Sequence, residues 1–148
     1  MQSVFLELNN YMDRFPHHEF LINMLEETST NMKIVISPVQ ERADCTVRAT
    51  AAAMEIPYHE AHAKLAALGR KPRGGWHFKG KNAERLGLEL RGDLSGRTLA
   101  KILPDLAHGR FVVRHARHVF AVIDGTVVDW KEPNPGLRVK MVYQLTSP

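Results

Sequence analysis

The chain has 148 residues, 44% hydrophobic and 24% charged, long enough to bury a core without covalent staples. Its one cysteine, Cys45, excludes an internal disulfide and leaves no thiolate set for a structural zinc. The net charge of +4 is uneven, because residues 1–31 hold one Arg against five acids and the body is correspondingly basic, a surface suited to nucleic acid, an acidic protein partner or solubility.

Residues 1–31 read as an acidic helical extension. Two amphipathic stretches, "SVFLELNNYMDRF" and "HEFLINMLEE", flank Pro16 and precede the polar breaker "TSTN". Their apolar faces at Phe5, Leu8, Phe15, Phe20 and Leu21 need covering, so the extension is expected to meet the body, a second copy in a homo-oligomer or a partner protein. Glu7 and Asp13 stand where a secretory signal needs positive charge, and no apolar run approaches a membrane span. A soluble cytoplasmic protein with no membrane contact is expected.

Residues 32–148 form the main unit, which opens with a strand in "MKIVISPV". An alanine-rich helix follows, starting at Cys45 and ending near Pro57, since proline disfavours helical geometry in the residue before it. "YHEAHAKLAALG" gives a second helix with Ala61, Leu65 and Leu68 on one face and Gly69 as its stop. "RKPRGGWHFKGK" is a glycine-rich basic loop, "NAERLG" a short helix and "LELRG" an extended piece. "SGRTLAKILPDLAHG" is a helix bent or stopped around Pro104, with Leu99, Ile102 and Leu103 in the core. "RFVVRHARHVFAVIDGTVVDW" reads as two strands joined by Asp124 and Gly125, a pair suited to a two-residue hairpin turn, and "LRVKMVYQLTS" adds a last strand. Helices packed on a C-terminal antiparallel sheet make the class α+β.

Cys45 sits in the first turn of its helix, where the macrodipole favours thiolate over thiol. The ordinary alternative is a small buried hydrophobe. The hairpin arithmetic changes the balance: a turn at Asp124–Gly125 sets Phe120 opposite Asp129, and His118 then lies diagonal to Asp129 on the same face. His115 differs in parity from His118 and points to the other face if the strand is regular. Cysteine, histidine and acid together compose a nucleophile, its base and the base's orienter, the set that covalent acyl transfer needs. Spacing alone does not bring the hairpin to the helix.

Three other features have competing readings. His59 and His62 are one helical turn apart, but HExxH spacing is absent and no third ligand is apparent, so no metal is expected. Trp76, within the basic loop, suits the rim of a peptide cleft, a buried anchor or a stacking platform for single-stranded nucleic acid. Arg114 and Arg117 bracket His115; they are expected to depress the nearby histidine pKa and to attract acidic substrates, or to be plain solvated charge.

Over about Lys33 to Trp130 the chain resembles the papain-like cysteine peptidase superfamily, most closely in "VQERADCTVRATAAAM" and "GRFVVRHARHVFAVIDGTVVDW". The resemblance is to small bacterial and phage domains, including bacteriocin-leader-processing peptidases. It implies Cys45 as nucleophile, His118 as base, Asp129 as orienter, Gln40 as oxyanion donor and Trp130 as an aromatic beside the acid, with a peptide or protein substrate and no cofactor. The chain departs from the family pattern in three ways: Gln40 stands one residue closer to the cysteine than is usual, Asp44 adjoins the nucleophile, where a close carboxylate raises a thiol's pKa, and the interval from His118 to Asp129 is shorter than in papain, as a tight hairpin demands. Related folds run transglutaminase, deamidase and acyltransferase chemistry with the same residue types. The rival reading is a noncatalytic module of this fold that binds nucleic acid or an acidic protein.

Overall fold

The computed structural model describes strand β1 (Leu21–Glu27) and residues 32–146. The helix expected over "SVFLELNNYMDRF" lies outside the described residues. Within "HEFLINMLEE" the expected helix is corrected: Leu21–Glu27 is a strand, paired antiparallel with β2 (Lys33–Ile36). A short apolar run fits either period, and the open edge of β2 offers backbone partners that a helix does not use.

The main unit continues through α1 (Cys45–Met54), α2 (Tyr58–Ala67), α3 (Asn82–Arg85) and β3 (Leu88–Leu90). A single helical turn, α4 (Leu99–Ile102), then runs into a 3₁₀ turn at Leu103–Leu106, where Pro104 ends the α geometry. Strands β4 (Arg110–His115), β5 (His118–Ile123), β6 (Thr126–Asp129) and β7 (Met141–Leu145) complete one seven-stranded sheet in the order β1-β2-β6-β5-β4-β7-β3. The class is α+β, with two corrections. The sheet is mixed, because β2 runs parallel to β6, and it is not confined to the C-terminal part, since β2 and β3 come from the helical half.

Alternation along the strands explains the layering. Val35, Val112, Val119, Ala121, Ile123 and Val128 face one way and pack with Val47, Ala49, Ala52 and Ala53 of α1 and Leu65 of α2. Ile34, Phe111, Val113, Phe120, Val122 and Val127 face the other way, under Leu99, Ile102 and Leu106. Both faces are covered, so the central strands read as nearly unbroken apolar runs. Alanines let α1 sit close to the sheet, and eight of its residues are buried. Among the described residues no helix is long and apolar enough to cross a membrane.

The Asp124–Gly125 turn forms as its residues dictate, with φ values of 46° and 81° and the register Ala121↔Val128, Val122↔Val127, Ile123↔Thr126. The segment before it is corrected. "RFVVRHARHVFAVI" is not one strand but two, β4 and β5, which fold back through Ala116–Arg117 with His115 paired to His118. Ala116 takes φ 50°, a left-handed conformation that the sequence gives no glycine or asparagine to announce.

Candidate active site

Strand β2 ends beside the end of β6: Ile36 is the parallel partner of Asp129, and the Ser37 N–H donates to the Asp129 carbonyl at 2.7 Å. The chain then loops through 37–44 into the first residue of α1. That helix crosses the sheet over β5, so the thiol of Cys45 arrives at the beginning of β5, where His118 stands. The His118 side chain and the Val119 backbone both hydrogen-bond the sulfur. This contact between helix and hairpin is the step that sequence spacing left open.

His118 Nε2 lies 2.9 and 2.8 Å from the two carboxylate oxygens of Asp129, which leaves Nδ1 as the nitrogen for the thiol. Asp129 is 2% exposed, and its Oδ1 also accepts the Trp130 N–H at 2.8 Å. Burial works against the imidazolium, but hydrogen bonds and charge from Asp129 and Cys45 outweigh it and raise the His118 pKa to about 9. Burial likewise pushes the Cys45 thiol up, and bonds from His118, Val119 and Thr46 with the imidazolium charge carry it below the ordinary value. A thiolate–imidazolium pair is the favoured state over the pH range between those two groups.

Asp44 adjoins a thiol whose pKa is nonetheless lowered on balance. Its carboxylate turns back from the helix, with Oδ2 accepting the N–H groups of Gln40 (2.9 Å) and Glu41 (3.0 Å) and the Tyr58 hydroxyl (3.1 Å). Oδ1 accepts Arg48 Nε at 2.8 Å. Burial raises the Asp44 pKa and these donors more than reverse it, so the carboxyl is held below its usual range. Glu41 secures the same loop from outside, paired with His62 at 2.8 Å and Arg70 at 3.1 Å and accepting the Arg73 N–H at 2.6 Å.

Other expected site residues fall in different places. Gln40 is exposed, with its backbone N–H committed to Asp44; the structure gives its side chain no contact with Cys45. Trp76 accepts a 2.6 Å hydrogen bond from Thr46 Oγ1 at its carbonyl and stacks edge-on against Phe78, next to the first turn of α1. Trp130 is 44% exposed and carries Lys131 Nζ over its ring at 4.7 Å. It lines an open groove of about 890 Å³ together with His115, His118, Asp129 and the segment to Leu137.

Arg117 is exposed on the β4–β5 turn. His118 is raised rather than depressed, and Arg114, after burial, lowers the pKa of His77. His115 is corrected too: as the cross-strand partner of His118 it shares that residue's face, but its Nδ1 is engaged with the Arg138 carbonyl at 3.0 Å. Of the pair His59 and His62, the latter is bound to Glu41, and the described residues hold no cluster suited to a metal ion.

Sequence reasoning passed over Arg48. It is 5% exposed, reaches Asp44, and has Nη1 3.0 Å from the Ser37 carbonyl and 3.9 Å from Asp129 Oδ1. A charge inside an alanine-rich helix was its only signal. No family model, curated protein or solved structure matches this chain, and the functional reading therefore stands on the geometry itself.

Proposed function

We propose that this protein is a cysteine hydrolase acting on the amide bond of a peptide or protein, with a small papain-like fold. The observation that carries the reading is the continuous contact from buried Asp129 through His118 to the thiol of Cys45. Its support from chain order is a cysteine opening a buried helix, with histidine and acid on successive strands, the arrangement that the superfamily resemblance implies.

The Cys45 thiolate attacks the carbonyl carbon and forms a C–S bond. The His118 imidazolium gives its proton to the amine nitrogen as the C–N bond breaks. Neutral His118 then takes a proton from water, whose oxygen displaces the thioester sulfur, and the thiolate–imidazolium pair is restored. Asp129 fixes the ring through Nε2 and stabilises its charge. The Cys45 backbone N–H, at the start of α1, is the donor we assign to the oxyanion; Gln40 would have to swing in from solvent to join it. The groove along 130–137 adjoins the imidazole and suits the part of the substrate that leaves with the proton.

Incubation with p-nitrophenyl acetate tests the reading. Intact mass should show one acetyl group on Cys45, and Cys45→Ser should slow p-nitrophenol release by about 10³-fold or more. Equal release from the variant would overturn the assignment.

A further inference from the structure

We propose that Arg48 is a positioning residue of this site, joining Asp129 to the helix that carries the nucleophile and holding part of that carboxylate's charge away from His118. The inference rests on the reading of Cys45, His118 and Asp129 as the reacting set. It starts from helix geometry. Arg48 follows Cys45 by three residues and Asp44 by four, so its side chain and the thiol leave neighbouring turns of α1 on adjoining sides.

Two carboxylates, Asp44 and Asp129, are 1% and 2% exposed, and the same guanidinium reaches both. Burying two like charges near one another is unfavourable without a shared cation. Arg48 supplies it, with Nε on Asp44 Oδ1 at 2.8 Å and Nη1 between the Ser37 carbonyl at 3.0 Å and Asp129 Oδ1 at 3.9 Å. A planar fork meets three acceptors from one stem; an ammonium is a point charge and does not span them in the same way. Oδ1 of Asp129 is thus held by hydrogen bonds from His118 Nε2 and the Trp130 N–H, with the Arg48 charge 3.9 Å away. The guanidinium also ties down both ends of the 37–44 loop, at Ser37 and at Asp44.

The groups that face this network are known from every element around it. Asp44, Cys45 and Arg48 come from α1 and its entry, Tyr58 from α2, His118 from β5 and Asp129 from β6. Glu41, His62 and Arg70 lie one layer out, and His115, Lys131 and Glu132 line the groove beside His118. Within this set Arg48 is the cation paired with Asp129 besides His118 itself. Removing its charge leaves the whole carboxylate to His118, so the imidazolium should persist to higher pH. Simple loosening of the site acts in the opposite sense, because a histidine that loses Asp129 and Cys45 falls back toward its ordinary value.

The sign of the shift is therefore the test. Cys45 is the chain's one cysteine, so its alkylation by iodoacetamide, followed against pH on the full chain, reports a single site. Wild-type protein should react below the ordinary thiol range and change rate again near pH 9, where His118 loses its proton. Arg48→Gln should move that alkaline step upward. Asp44→Asn combined with Arg48→Gln should do the same without leaving Asp44 as an unpaired buried charge, which keeps the test usable if the single variant does not fold. Arg48→Lys should leave the step in place while the reaction slows severalfold.

An unmoved step in the neutral variants, or a step displaced downward, overturns the role of Arg48 and leaves the Cys45–His118 pairing intact. A wild-type profile with the single ordinary titration of an isolated thiol overturns both.

Discussion

Strand β5 ends in Asp124–Gly125, two residues made for a tight turn, whereas it begins from Ala116–Arg117, where an alanine is held at φ 50°. The Ile123 end is apolar and sealed: Ile123 is 2% exposed, and the Asp124 carboxylate accepts the Gly109 N–H at 2.7 Å. The His118 end is open: the side chain is 31% exposed, its ring is bonded to an acid and a thiol, and a groove lies beside it. One strand therefore carries stability at one end and chemistry at the other. Strain and half-burial are tolerated at the end where groups must meet a substrate.

Substitutions at the two ends should separate these roles. The largest effect is expected from His118→Ala, which should lower turnover by about 10³-fold while the unfolding midpoint changes little. Ile123→Ala should do the reverse, costing about 2–5 kcal/mol in denaturant unfolding with the rate of the folded fraction unchanged. Large loss of both properties in either variant would erase the distinction. The turns give a finer test. Gly125→Ala forces a methyl onto φ 81° and should destabilise by about 1 kcal/mol. Ala116→Gly relieves a similar conformation but adds freedom to the unfolded chain, so a gain of only about 0.5 kcal/mol is expected in the same assay.

How much of this was legible follows the same division. Asp124–Gly125 announces its turn, and through it the diagonal of His118 and Asp129, because turn chemistry and strand alternation are local rules. Ala116–Arg117 announces nothing, so β4 and β5 read as one strand and His115 was assigned to the wrong face. The strand at Leu21–Glu27 was hidden for a related reason: its partner, the edge of β2, is a tertiary fact. The parallel pairing of β2 with β6 escaped because β6 reaches β2 only after four helices and three strands have intervened.

At the site, Cys45 was visible from its helix start, but its neighbours were not. Asp44 looked like a threat to the thiolate until its carboxylate was seen to bind Gln40, Glu41, Tyr58 and Arg48. Gln40 took its expected role from a family resemblance, and here its backbone is used and its side chain faces outward. Arg48 is legible only once the acids on either side of it are known, since nothing in a helical period marks a buried guanidinium.

The central claim is that Cys45 and His118 form an ion pair, and titration of the thiolate by its ultraviolet absorbance tests it most directly. With the thiol lowered and His118 raised to about 9, thiolate should appear below the ordinary thiol range, paired with the imidazolium. In His118→Ala the same signal should move up to the range of an unassisted, partly buried thiol. Superimposable titrations of the two proteins would contradict the account.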